Sequence, residues 1–405
     1  MATTEQPLDL DDRPSNHPLV LPYGRQCLEE DDREAVLRVL NGDWLTQGPT
    51  VGAFEEALAE SCRVRHAVAV SSGTAALHLA CLAAGVGPGD FGITSPITFV
   101  ASANCVAYCG GIPGFADIDR RTACLDSSAL EEACSRRKPK VIIPVDFAGQ
   151  PADLPAIQAV ARRHGAVVIE DAAHALGASY LHDGRWFKAG SCVHADLAIL
   201  SFHPVKHITT GEGGAVLTNS PELCAKLQRL RTHGVTRDAS LLTRNDGPWY
   251  YEQHDLGYNY RITDIQCALG LSQLRKLGRF VERRRALVGR YVEALADLSD
   301  DLTLLLEEPG KRSSYHLMVA RIEGGAARRR RVFDSLAARN IRCQVHYIPV
   351  HLQPWYQNHL GTREGDFPWA EAFYAGCLTL PLFPAMADRD VDRVADALRA
   401  ALVQI

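Results

Sequence analysis

One lysine stands apart from the rest. Among seven lysines, set against 36 arginines, only Lys206 follows an apolar strand-like run, ADLAILSFH (195–203), and precedes a glycine-rich turn, ITTGEGGAV. Where a buried strand opens into such a turn an amine is partly desolvated, which lowers its pKa and makes it a nucleophile toward an aldehyde. The other six, Lys138, Lys140, Lys188, Lys226, Lys276 and Lys311, lie in polar loops or on charged helix faces and read as solvated charges. Taken alone, a surface lysine is also the simpler reading of Lys206. Asp171 closes the run AVVIE and delivers a carboxylate to the end of what should be a central strand. Burying that charge requires a cationic partner. A protonated pyridine nitrogen is one, and the carboxylate in turn keeps such a ring electron-accepting; the alternative is an aspartate that caps the next helix. His174, three residues on, is placed to donate to a ring hydroxyl, or else is a satisfied core histidine. Ser71-Ser72-Gly73-Thr74 joins HAVAV to AALHLACLAAG and offers backbone N–H groups at a positive helix end, a phosphate cradle or simply a good N-cap.

Positioning these groups takes a sheet. From about residue 21 to 235 the chain alternates short apolar runs, HAVAV, FGITS, KVIIPVD, AVVIED and ADLAILSFH, with helical patterns such as FEEALAESC, AALHLACLAAG and LPAIQAVARRHG. Near-continuous β-branched runs separated by helices imply an α/β fold with a parallel sheet covered on both faces. Ligands of such sheets sit beyond the carboxyl ends of the strands, a rule that selects Ser71-Ser72-Gly73-Thr74, Asp146, Asp171 and Ser201. GGAVLTN (213–219) reads as a further strand. A long helical region from 262 to about 296 leads to a smaller C-terminal α+β domain with short strands in YHLMVARI and RCQVHYIPV and a closing helix, DVDRVADALRAALV. The expected division is a mobile tail at 1–20, a large domain at 21–270, and a linking helix with the small domain at 271–405.

Composition removes several function classes. A net charge of -5 with mixed signs gives no pull toward nucleic acid. No apolar stretch approaches a membrane span, and the polar, acidic start is unlike a signal peptide, so a soluble cytoplasmic protein is expected. The 12 cysteines are scattered singly through apolar segments and read as small buried hydrophobes, including Cys105 and Cys109 at helical spacing; neither a metal site nor a disulfide framework is expected. A P-loop would need a lysine after the glycine of the cradle, and a dinucleotide fold a G-x-G-x-x-G; neither is present.

Five segments in order, SSGTAAL, PITFVASAN, EDAAHALG, SFHPVKHITTGEGG and GYNYRITDIQCALG, give the chain a strong resemblance over about residues 20–400 to the DegT-type sugar aminotransferases of fold type I. The resemblance implies a large domain built on a mainly parallel seven-stranded sheet, and pyridoxal 5'-phosphate as cofactor. It implies that Lys206 carries the cofactor as a Schiff base and shuttles the proton, that Asp171 faces the pyridine nitrogen, and that His174 lies near the ring oxygen. Phe99 matches the aromatic that stacks on the ring. Ser72, Gly73, Thr74 and Ser201 match phosphate contacts from one subunit and Asn259 a contact from the other, so a homodimer with shared active sites is implied.

Within the family, LTQGP (45–49), VDFAGQ (145–150), RTHG (231–234) and VHYIPVH (345–351) are most similar to UDP-sugar transaminases of the pseudaminic-acid type. These aminate a UDP-linked 4-keto-6-deoxy-N-acetylhexosamine with L-glutamate as donor, by a ping-pong route that releases 2-oxoglutarate. Arg231 and Arg261 are candidates for gripping the glutamate carboxylates. Dehydratases of the family carry His at the Schiff-base position, so Lys206 argues against that activity. Other expectations to weigh are a different UDP- or dTDP-keto-sugar and a cofactor-binding regulatory protein without turnover.

Overall fold

The computed structural model describes residues 20–403; the expected tail at 1–20 lies outside the described residues except for Val20. Strands β1 (His66–Val70), β2 (Phe91–Thr94), β3 (Ile112–Phe115), β4 (Val141–Ile143), β5 (Val167–Asp171), β6 (Leu197–Ser201) and β7 (Gly214–Thr218) form one sheet in the order β1-β7-β6-β5-β4-β2-β3. β7 is antiparallel to β1 and to β6, and the remaining pairings are parallel. The period-2 alternation of a strand explains why these runs are apolar throughout. Leu197 and Ile199 of β6 enter one core cluster and Ala198 and Leu200 another, on the opposite face. The α/β class and the mainly parallel seven-stranded sheet are as expected from the sequence.

β3 has no counterpart among the strands read from the sequence. Its segment, IPGF, holds a proline and a glycine, both poor strand formers. It survives as the outermost strand, where the missing N–H of Pro113 costs no ladder bond.

Helix α1 (Gly73–Ala83) follows β1 directly, and its N-cap Ser72 accepts a hydrogen bond from Ala75 N at 3.1 Å. Helix α2 (Ala101–Tyr108) follows β2. The helical region after 262 is two helices, α3 (Asp264–Leu274) and α4 (Leu277–Ala294), separated at Arg275 and Lys276. Lys276 corrects the reading of a solvated charge: it is 7% exposed, with Nζ 2.8 Å from Asp32 and 3.6 Å from Glu29, and also paired to Asp31. Three carboxylates around one ammonium offset its desolvation.

Downstream, Leu302–Leu304, Met318–Ile322 and Cys377–Leu380 form a three-stranded sheet whose apolar cluster includes residues of α4 and of the final helix α5 (Asp388–Val403). The strand expected in RCQVHYIPV is reduced to Ile341–Arg342, paired with Leu21–Pro22. Beyond it the side chains are drawn into other contacts, such as His346 Nδ1 to Thr379 Oγ1 at 2.9 Å, and Pro349 has no N–H for a ladder. All twelve cysteines are free thiols. Among the described residues no helix is long and apolar enough to cross a membrane, and no cluster of side chains is arranged to hold a metal ion.

Candidate active site

Beyond the carboxyl ends of β1, β5 and β6 lies a cavity of about 620 Å³. Ser72, Gly73, Thr74, Phe99, Asp171, His174, Ser201 and Lys206 all line it, so eight of the nine site residues expected from the sequence meet in one place. Asn259 is exposed and is not among the lining residues.

The cradle is built on close approach. A Cβ added to Gly73 would lie 2.9 Å from Ser201 Cβ and 3.1 Å from Ser201 Oγ, and one on Gly214 would lie 2.5 Å from the Ser72 carbonyl oxygen. Only glycine lets the first turn of α1 come this near to the ends of β6 and β7. The helix N-terminus then presents its N–H groups and its positive dipole end to the cavity.

Asp171 is 5% exposed, and burial raises its carboxyl above the ordinary range. Ser102 Oγ donates to its Oδ2 at 2.6 Å and Ala173 N to its Oδ1 at 3.2 Å. Thr98 Oγ1 lies 2.8 Å from Ser102 Oγ, so with Ser102 donating to the acid, Thr98 completes a short chain of hydroxyls. The Lys206 amine has no hydrogen bond or ion pair within the described chain. Burial lowers it from 10.5 to about 8, against the opposing pull of Asp171. Phe99 stands at the mouth, 57% exposed, with its ring centre 6.3 Å from that of Tyr347.

His174 is buried, and burial, aided by Lys206, His346 and His207, holds its pKa well below the ordinary value. The Tyr347 hydroxyl lies 3.2 Å from its Nε2, while its Nδ1 has no partner. An orphaned imidazole nitrogen, an unpaired amine, a buried carboxyl raised by desolvation, and a cradle that a Cβ would fill together fit a phosphorylated pyridine aldehyde.

Sequence reasoning missed Ser102, His316, His346 and Tyr347, which line the same cavity. Ser102 falls about one helical turn after Phe99, a local signal that was available. The others arrive through tertiary contacts from segments far along the chain. Buried Arg284 of α4 donates to the carbonyls of Tyr315, His316 and Leu382 at 3.3, 3.2 and 2.9 Å and so fixes the loop bearing His316.

Three residues singled out in the sequence lie elsewhere. Asp146 is outside the cavity and fully buried, with Oδ1 accepting from Ala152 N at 2.8 Å; burial and the mutual repulsion of Asp146 and Glu170 raise the Asp146 carboxyl, and burial raises that of Glu170 to about 7. Arg231 is committed to Glu55 and to the Ala69 carbonyl, while Ala69 N donates to Glu55 at 2.8 Å, so this guanidinium is a support for the edge strand β1. Arg261 is half-buried, has no hydrogen-bond or ion-pair partner among the described residues, and does not line the cavity.

Comparison with known proteins gives a consistent picture. The profile of the DegT/DnrJ/EryC1/StrS aminotransferase family matches residues 26–399. The spore coat polysaccharide biosynthesis protein SpsC of Bacillus subtilis is 40% identical over 382 residues, covering 94% of this chain and 96% of SpsC. Among solved structures, PseC of Helicobacter pylori, an aminotransferase of pseudaminic acid biosynthesis, superposes with a TM-score of 0.86 at 32% identity, covering 96% of this chain and all of PseC. Spr1654 of Streptococcus pneumoniae, solved in a PLP-form and a PMP-form, gives a TM-score of 0.87 at 30% identity, with 95% and 99% of the two chains covered.

Proposed function

The chain belongs to the DegT/DnrJ/EryC1/StrS aminotransferase family, and from that premise we propose that it transfers an amino group from L-glutamate to a UDP-linked 4-keto-6-deoxy-N-acetylhexosamine, giving a 4-amino sugar of the pseudaminic-acid type. It is a pyridoxal 5'-phosphate-dependent sugar aminotransferase. The observation that carries the reading is the meeting in one cavity of an unpaired, partly neutral Lys206 amine, the buried acid Asp171 and the Gly73 cradle. Similarity to PseC supports the choice of sugar.

When bound, the cofactor supplies an aldehyde that accepts the amino group and a pyridinium ring that withdraws electrons from the carbon losing its proton. Lys206 Nζ would hold the cofactor, and its partly neutral amine could take and return the proton of the substrate carbon. Asp171 would serve as the partner of the ring nitrogen and would keep it protonated, with Ser102 donating to Oδ2 and orienting the carboxyl. Backbone N–H groups of Gly73 and Thr74, with the hydroxyls of Ser72 and Ser201, hold the phosphate and so fix the ring's orientation. Phe99 presents a flat apolar face to the ring.

We place the active site at a dimer interface. Tyr258 and Tyr260 stack on each other with ring centres 5.1 Å apart and both pack against His78 of α1, whereas Asn259 between them is exposed. The flanking tyrosines anchor the segment to its own subunit and leave Asn259 turned outward, as a phosphate contact for a second copy requires.

The test converts the purified protein to its pyridoxamine form with L-glutamate and then offers a panel of UDP- and dTDP-linked 4-keto-sugars. Return of the aldehyde-form absorbance with the UDP-linked acetamido sugar supports the reading. Return only with a different nucleotide-sugar, or no conversion by glutamate, refutes it.

A further inference from the structure

Tyr347 enters the cavity on the irregular segment after Ile341–Arg342, more than 170 positions from His174, and among the described residues its hydroxyl makes one hydrogen bond, to His174 Nε2 at 3.2 Å. The two rings lie nearly parallel, 23° apart, with centres separated by 6.1 Å. On its other side His174 meets His316, ring centre to ring centre 4.4 Å, without a hydrogen bond between them.

A neutral imidazole carries one N–H and one lone pair, and its hydrogen-bond partners decide which nitrogen holds the proton. Two arrangements satisfy the observed contact. In the first, the tyrosine donates to Nε2 and the His174 proton sits on Nδ1. In the second, Nε2–H donates to the tyrosine oxygen, which leaves the phenol hydrogen without an acceptor among the described residues and Nδ1 as a bare lone pair. The first leaves one polar group unmet and the second leaves two. Each unmet buried group carries a desolvation cost. Burial of the phenol also pushes its pKa upward, so it remains a donor over the working range of pH.

Resting on the aminotransferase reading, we propose that Tyr347 is a positioning residue that locks His174 in the Nδ1–H tautomer, making the imidazole a hydrogen-bond donor to the ring oxygen of the cofactor. His174 Nδ1 has no partner among the described residues and belongs to a residue lining the cavity, as that role requires. His207 shows the contrast. Its Nε2 meets the Ser314 carbonyl oxygen at 3.1 Å, which only accepts, so there the proton sits on Nε2.

The experiment uses the full chain labelled with 15N-histidine and stripped of cofactor, with His174 signals assigned by loss in His174→Gln. Long-range proton–nitrogen spectra report which ring nitrogen is protonated. The wild type should show Nδ1–H at His174. Tyr347→Phe should move that proton to Nε2 or divide it between the two, while the His207 signals stay fixed and certify the fold. In the same variant the dissociation constant for pyridoxal 5'-phosphate should rise about tenfold, the effect of losing one well-placed hydrogen bond to an anionic oxygen. A wild type protonated on Nε2, or a variant with an unchanged tautomer, overturns the proposal. So does a shifted tautomer with unchanged cofactor affinity, since the donor role would then be absent. Because the spectra are taken without cofactor or substrate, this result is independent of whether the sugar assignment stands.

Discussion

The most direct consequence of the site's electrostatics concerns the reactivity of Lys206 in the cofactor-free protein. Burial lowers its amine to about 8, and Asp171 is the group that opposes the shift. At pH 7 an amine titrating at about 8 is roughly 9% neutral and one at about 10.5 roughly 0.03%, so Lys206 should have a neutral, acylation-competent fraction roughly 300-fold that of an ordinary lysine and should react faster at equal access, by less than that ratio because nucleophilicity falls with pKa. Competitive labelling with acetic anhydride between about pH 6 and 11, read peptide by peptide by mass spectrometry, gives the midpoint directly. The exposed Lys138 and Lys140 control for reagent decay. The Asp171→Asn variant adds a signed test. Removing the only influence that raises the amine should move the Lys206 midpoint further down. A wild-type midpoint near 10, or an upward shift in Asp171→Asn, would refute the idea that desolvation activates this lysine.

Other outcomes follow from particular contacts. Gly73→Ala places a Cβ 2.9 Å from Ser201 Cβ and should raise the cofactor dissociation constant by about tenfold or more while costing ~1–3 kcal/mol in stability, measured by fluorescence titration and urea unfolding. If Asn259 serves the opposite subunit, mixing Lys206→Ala with Asn259→Ala protein, each of low activity, should restore native sites in heterodimers up to about a quarter of the total, and no recovery after subunit exchange would place both residues in one subunit's site. The Asp146–Glu170 pair makes stability fall with alkalinity. A folded-state carboxyl pKa raised to about 7 contributes stability that is present below its unfolded value and lost as pH rises through that point. The urea midpoint should therefore decline from about pH 4.5, the ordinary value of this carboxyl, to about pH 7 and level off above it, and Glu170→Gln should flatten the decline.

What the sequence revealed depended on how local the cause was. Lys206, Asp171, Ser201 and the Ser72–Thr74 cradle were legible because strand ends deliver them to the cavity through short-range geometry, and the order of five motifs removed the alternatives at each. β3 was hidden because Pro113 and Gly114 are tolerated only at a sheet margin, which is a property of topology. The segment RCQVHYIPV had strand-like composition, yet its side chains are claimed by Thr379 and His174. Lys276 was misread for a related reason: its acidic partners are about 245 residues away, beyond any local pattern. Arg231 had the charge to bind a carboxylate, and its use by Glu55 depended on two helices distant in sequence meeting in space.

That last arrangement, together with Pro113, bears on how copies of the chain can meet. At one margin of the sheet the outward amide and carbonyl of Ala69 are already answered by the Glu55–Arg231 pair, which imitates the strand that would otherwise come next. At the opposite margin the imino ring of Pro113 interrupts the template. Neither border invites a foreign strand, so self-association is steered away from ladder extension and its fibrillar outcomes, toward surfaces read by side chains.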